Sequence, residues 1–301
     1  MERVEVPFGS HGGICRAWRY APAVADGTAS ERRPCVVMAH GFGATRDASL
    51  APYAERFVAA GMHVLLFDYR HFGTSDGLPR QLVSVRRQLQ DYAAAFEFAR
   101  ALSGVDPDRV AVWGTSFSGG HALVTAATVP GVAAVICQCP MMDGLAAVRR
   151  ILEYAGPRQL LRLTAHGLLD LVLALVRRAH YVPTVGPPGS LAVMSSDDSE
   201  AGYRALLPPD ARVEVAARIA LSVAFYRPVS LAHRVRCPVL VQLCERDSVA
   251  PVAATERAVG ELGANAEVRR YPIGHFEPYF GEHFERSVSD QLEFLRTRLA
   301  A

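Results

Sequence analysis

The stretch Val110-Ala-Val-Trp-Gly-Thr-Ser-Phe-Ser-Gly-Gly-His121 decides the fold. Arg109–Trp113 reads as a strand buried on both faces, because its apolar run is continuous rather than alternating. Gly114 through Gly120 is a turn of small residues, and His121–Thr128 continues as a helix. A strand running through so tight a turn into a helix holds the apical residue, Ser116, away from the sheet with its hydroxyl presented. The helix N-terminus beside it favours developing negative charge. Gly114 stands two residues before the serine. Ser118 stands two after, where glycine is usual, and fits if the helix sits slightly farther from the strand. The backbone N–H of Phe117 is placed to face an oxygen held against Ser116. A serine-rich turn is the competing reading of such a motif in isolation; the strand before and the helix after favour the reactive serine.

Outward from this turn the same rhythm repeats. Val4–Phe8 and Ile14–Tyr20 alternate around His11-Gly12-Gly13, a hairpin signal. Cys35–Ala39, His63–Phe67, Val132–Cys139, Val239–Leu243 and Ala266–Tyr271 read as strands. Ser49–Ala60, residues 81–102, Pro251–Leu262 and Phe280–Leu299 read as helices, the first stopped by Gly61. Buried strands alternating with helices imply a doubly wound α/β sheet. Between 141 and 235 the rhythm gives way to mostly helical text with Pro/Gly-rich patches at Pro183–Ser190 and Pro208-Pro209. The predicted organisation is an α/β core over 1–140 and 236–301, with a helical cap inserted at 141–235.

Composition narrows the function. The chain has 301 residues, enough to bury a large core without disulfide or metal staples. With 32 basic and 30 acidic residues its net charge is +2, which argues against nucleic acid as a partner. Every basic residue is arginine, and the absence of lysine excludes Schiff-base and Walker-type lysine chemistry. The amino terminus reads as neither signal nor transit peptide. The most apolar stretch, Leu168–Val176, is far short of the ~20 residues of a membrane span. The six cysteines form no C-x-x-C pair, so free thiols and a cytoplasmic location are expected. No metal-ligand spacing and no G-x-G-x-x-G after a strand appears, so neither metal nor cofactor is expected.

A serine hydroxyl needs a general base, and the base needs an orienting carboxylate. Asp247 lies just beyond the end of the strand Val239–Leu243. His275 lies on a glycine-led loop after the strand Ala266–Tyr271. One helix and one strand separate the two, so both loops fall on the same edge of the sheet as Ser116. Glu245 and Asp143 compete for the acid role; Glu245 comes one or two residues early, and Asp143 follows the sixth strand. His121 and His283 read as helix-surface residues, and His180 and His233 as structural. His40-Gly41-Phe42-Gly43 follows the third strand; its glycines let the backbone turn inward, and Phe42 supplies a second N–H to the same oxygen. His40 reads as a buried histidine bonding its own loop.

These segments, together with Phe67-Asp-Tyr-Arg-His-Phe-Gly-Thr-Ser-Asp76, resemble the α/β-hydrolase superfamily in order and spacing over nearly the whole chain. They are most similar to its capped dienelactone-hydrolase and X-prolyl-peptidase-like branch. The resemblance implies an eight-stranded, mostly parallel sheet, a cap over the site, and acyl-enzyme chemistry on Ser116, Asp247 and His275. It also implies structural roles for Asp68 and Arg70. The expected activity is cleavage of a carboxylic ester of an apolar or aromatic small molecule. A thioesterase, acyltransferase or C–C hydrolase with the same triad is the alternative, and a non-catalytic receptor on the same fold is a third. No acidic cluster marks a peptide amino-terminus site. The leucines between Leu160 and Val176 read first as core packing, and if exposed as a homodimer contact. Arg149, Arg150, Arg177 and Arg178 read as solvated helix faces.

Overall fold

The computed structural model describes residues 2–23 and 32–300. The opening hairpin pairs β1 (Glu2–Ser10) antiparallel with β2 (Gly13–Ala21). Then follow β3 (Arg33–Ala39), α1 (Ala51–Ala59), β4 (His63–Asp68), α2 (Val85–Arg100), β5 (Val105–Thr115), α3 (Phe117–Thr128) and β6 (Ala134–Gln138). The next segment carries α4 (Gly144–Ala174), β7 (Tyr181–Pro183), α5 (Ser199–Leu206) and β8 (Glu214–Ala216). The chain returns through β9 (Val239–Cys244), α6 (Val252–Leu262), β10 (Ala266–Tyr271) and α7 (Gly281–Arg298). This is the α/β-hydrolase fold.

The main sheet has eight strands in the order β1-β2-β4-β3-β5-β6-β9-β10, and only the opening hairpin breaks its parallel direction. Every residue of β4, β6 and β9 is buried, as expected of strands covered on both faces. Strand order reverses at β3: β4 lies on one side of it and β5 on the other. The crevice at the carboxyl ends of such strands is where open α/β sheets place their sites. Here that crevice lies between the loops bearing Phe42 and Ser116.

Two local departures from the sequence reading have physical causes. Helix α2 starts at Val85 rather than 81. Gln81 instead takes a left-handed conformation (φ 55°) and its amide donates to the carbonyls of Gly43 and Glu214. It ties the loop after β3 to β8. Helix α3 starts four residues earlier than its apolar pattern, directly at Phe117.

Beneath the site, α7 is pinned to the sheet by a buried polar network. Gln291 donates to the side-chain oxygens of Gln138 and Gln242, and Ser287 donates to the same two. Trp113 donates in turn to Gln291 at 2.9 Å. Every member is partnered, so the network fixes register without stranding a polar group. The main-chain carbonyl of Gln138 accepts the N–H of Ser116 at 2.9 Å.

The segment between β6 and β9 is more irregular than its helical text suggests. β7 and β8 form a small antiparallel pair, and short 3-10 turns run from Ala217 to Arg234. Helix α4 breaks at Gly156 (φ 74°, ψ 177°), just before Pro157, a residue that cannot continue the hydrogen-bond ladder. The expectation that the α4 leucines pack in the core is corrected here. Leu163 is buried, but Leu161, Leu168, Leu169, Leu171, Val172, Leu175 and Val176 are exposed. Among the described residues no helix is long and apolar enough to cross a membrane.

Candidate active site

Ser116 sits at the apex of the β5–α3 turn with φ 54° and ψ −120°, a conformation that non-glycine residues rarely adopt. The turn around it is over-determined. The Ser116 carbonyl accepts the N–H groups of Gly119 and Met141. Gly114 faces the Ser118 carbonyl so closely that an added Cβ would fall 2.0 Å from its oxygen. Ser118 is accommodated because its hydroxyl pairs with that of Tyr69 at 2.8 Å, deep in the core. A buried hydroxyl is tolerated when it is hydrogen-bonded.

The three side chains predicted from separate motifs form one hydrogen-bonded chain. The Ser116 hydroxyl lies 3.0 Å from His275 Nε2, and His275 Nδ1 donates to Asp247 Oδ2 at 2.6 Å. The other Asp247 oxygen accepts the N–H groups of Val249 and Ala250, which fixes the carboxylate in place. His275 is 3 % exposed. Burial alone would lower its pKa. The Asp247 carboxylate, Cys139 and Asp198 together outweigh burial and raise it to about 9.

Phe42 and Phe117 both line the cleft at Ser116, their rings edge to face at 5.4 Å. Neither backbone N–H donates to another protein group among the described residues. Gly41 approaches Ser116 so closely that an added Cβ would lie 3.3 Å from the serine Cβ. The two N–H groups therefore remain free to hold an oxygen beside the serine.

The remaining candidates take other places. Asp143 caps α4 by accepting from Leu145 and Ala146, and it pairs with Arg227 and Arg257. Glu245 is exposed. His40 is buried, bonds the Gly41 carbonyl, and has its pKa lowered to about 4 by burial. Asp68 accepts the Arg46 N–H, and Arg70 pairs with Asp91 at 2.5 Å, so both brace the loop after β4. His121 is not a surface residue: it is fully buried between the Tyr226 hydroxyl and the Gln88 side chain. The glycine turn lets α3 press on the sheet, and Tyr226 from the segment after β6 covers its other side. His180 lies 2.7 Å from His166, His233 is exposed, and His283 is partly exposed near Glu277. Among the described residues no group of three or more His, Cys, Asp or Glu could hold a metal.

Two hollows meet at Ser116. One, of about 80 Å³, runs under α4 and is lined by Met141, Val148, Ile151, Tyr154, Met194 and Val223. Of the four arginines set aside as solvated, Arg150 reaches its wall. The other, of about 30 Å³, lies on the His275 side against Leu50, Leu206, Phe276 and Tyr279. Phe42 and Met194 border both. Motif reading missed the contribution of Met194, Asp198 and Tyr203. The polar run Ser195-Ser-Asp-Asp-Ser199 between apolar stretches was the one signal that pointed toward them.

This fold and this hydrogen-bonded trio define the class as an α/β hydrolase. The chain belongs to the family described as serine aminopeptidase, S33, which matches residues 30–277. It is similar to the quorum-quenching protein AidA of Acinetobacter baumannii (strain MDR-ZJ06), at 42 % identity over 97 % of this chain and 94 % of that protein. It is also similar to the thiohydrolase aneE of Aspergillus aculeatus, at 41 % identity over 36 % of this chain and 35 % of that one. The crystal structure of the alpha/beta hydrolase GrgF from Penicillium sp. sh18 superposes over the full length of both chains with a TM-score of 0.82 at 24 % identity.

Proposed function

We propose that the protein is a serine hydrolase that cleaves a carboxylic ester or thioester of an apolar acyl group through an acyl-enzyme. The observation that carries this is the Ser116–His275–Asp247 chain, at 3.0 and 2.6 Å, opening onto an apolar cleft. Ser116 attacks the acyl carbonyl and His275 takes its proton. Asp247 holds the imidazole tautomer and steadies the imidazolium. The N–H groups of Phe42 and Phe117 stabilise the oxyanion. His275 then protonates the leaving group, and water releases the acid.

The direction of the substrate follows from the proton. The leaving group must lie within reach of His275 Nε2, so it occupies the smaller hollow, whose wall His275 forms. The acyl chain then fills the larger one. The walls of that hollow carry an arginine and no carboxylate. A peptide's ammonium terminus has no counter-charge there, so aminopeptidase activity, although it gives the family its name, is disfavoured. A second reading, acyl transfer to an organic acceptor, is favoured by the likeness to the polyketide transferase grgF of Penicillium sp, at 26 % identity over the whole of this chain.

The test is release of p-nitrophenol from esters of increasing chain length, with acyl thioesters and lactones in parallel, by the parent protein and Ser116→Ala. Turnover that Ser116→Ala abolishes supports the reading. Equal turnover by both proteins overturns it. Loss of hydrolysis to product ester when an alcohol is added separates transfer from hydrolysis.

A further inference from the structure

The proposed reacting groups come from loops of the sheet, and one short helix of the inserted segment, with the residue before it, touches three of those loops, the ones that carry Asp247, His275 and Phe42. Asp198 immediately precedes α5. An aspartate in this place ordinarily accepts an N–H from its own helix. Asp198 makes no such bond. Its Oδ1 instead accepts the hydroxyl of Ser196 at 2.9 Å and that of Ser248 at 2.5 Å. Ser248 is the residue after Asp247. The Asp198 Oδ2 faces the turn before His275, where a Cβ added to Gly274 would lie 3.7 Å away. Four residues on, Gly202 packs on the ring of Phe276, and an added Cβ would fall 2.3 Å from it. Tyr203 then donates its hydroxyl to the Phe42 carbonyl at 2.9 Å.

We propose that Asp198 is a positioning residue through which the inserted segment controls the base. It holds the acid loop through Ser248 and places a second negative charge against Gly274, the residue before His275. This deepens the function proposed above and rests on it.

When Ser116 gives up its proton, the imidazole becomes a cation, and a nearby carboxylate favours that form. The charged and titratable groups facing His275 are Asp247 from the loop after β9, Cys139 from the end of β6, and Asp198 from the inserted segment. Glu277, on the same loop as His275, is engaged by the Gly274 N–H. Asp198 is the one carboxylate among these whose position depends on the inserted segment being seated. Proton transfer is thereby coupled to the seating of the inserted segment on the sheet edge.

The test uses the full chain and two readouts: the pH dependence of Ser116 labelling by a fluorophosphonate, and titration of the His275 imidazole by NMR. Asp198→Asn keeps the shape and removes the charge. It should lower the inflection by roughly half a unit to one unit and slow labelling roughly threefold to thirtyfold. Asp198→Glu should restore the inflection. Ser248→Ala keeps the charge and should slow labelling without moving the inflection. A folded Asp198→Asn protein with the parent's inflection overturns the proposal, even if labelling is uniformly slower. Ser248→Ala labelling at the parent's rate overturns it independently, should Asp198→Asn fail to fold. If the parent itself does not label, the proposed nucleophile fails, while the imidazole titration still tests Asp198 on its own.

Discussion

At the carboxyl edge of the sheet every group proposed to react stands within a few residues of a strand end; in the segment laid over that edge, Met194, Asp198 and Tyr203 do not. Ser116, Asp247 and His275 follow β5, β9 and β10 directly, and Phe42 follows β3. Met194, Asp198 and Tyr203 come from coil and a short helix between β7 and β8. The sheet edge therefore obtains its geometry from register: once β3, β5, β9 and β10 are parallel, their loops converge. The overlying segment obtains its geometry from contacts it makes with those loops. The two regions should respond to mutation differently. Damage to the edge should abolish chemistry, and damage to the cover should shift rate, pH dependence or chain-length preference.

The largest expected effect is at the proposed nucleophile. Ser116→Ala should cut ester turnover on the order of 10⁴–10⁶-fold, read by steady-state kinetics, with the melting temperature held. No large change in stability is expected, because alanine keeps the Cβ and with it the strained φ, and removes only the hydroxyl beside His275. Gly114→Ala is the structural counterpart. Its Cβ would fall 2.0 Å from the Ser118 carbonyl oxygen, so α3 must back away from β5. A loss of about 2–4 kcal/mol in chemical denaturation, together with lost fluorophosphonate labelling, would follow.

Much of this contrast was legible beforehand. The motif residues announce themselves because tight turns at strand ends restrict residue type: glycine where backbones touch, serine at the apex, aspartate and histidine on short loops. Strand positions were read from continuous apolar runs, and the edges differ from the observed ones by only a residue or a few. His121 was misplaced because a polar residue on an otherwise apolar helix looks like its solvent side, and only the tertiary position of Tyr226 and Gln88 buries it. Ser118 departed from the glycine pattern for a reason invisible locally, the Tyr69 hydroxyl waiting for it. The inserted segment was least legible. Its α4 carries leucines around much of its surface, so periodicity could not say which of them face the core.

The next effect is on pH. The His275 imidazole must be neutral to accept the serine proton, and its pKa is raised to about 9. kcat/KM should therefore climb with pH toward an inflection near 9, with the protonated, inactive form dominating below it. Asp247→Asn removes the main cause of the rise, so the inflection should drop by more than about one unit while the plateau also falls. A flat profile between pH 7 and pH 9 would show that the imidazole is not held by Asp247 as the geometry indicates. On the cover, Val148→Trp narrows the larger hollow. The ratio of medium-chain to acetyl ester kcat/KM should fall roughly tenfold or more, while acetyl turnover persists. If both substrates fall alike, the larger hollow is not where the acyl chain lies.

The smallest effect separates the two faces of α4 after its break at Gly156. Leu163 is 5 % exposed, whereas Leu171 is 52 % exposed. Leu163→Ala deletes packed methyl groups and should cost about 2–4 kcal/mol in denaturant unfolding, the sum of lost transfer energy and the cavity left behind. Leu171→Gln exchanges a side chain that is half in water already, on a helix where leucine and glutamine have similar intrinsic preference, so its cost should stay within about 0.5 kcal/mol. The two substitutions lie two turns apart on one helix of similar composition throughout. A difference of that size between them comes from burial alone, and equal costs would mean that this face of α4 is covered in solution.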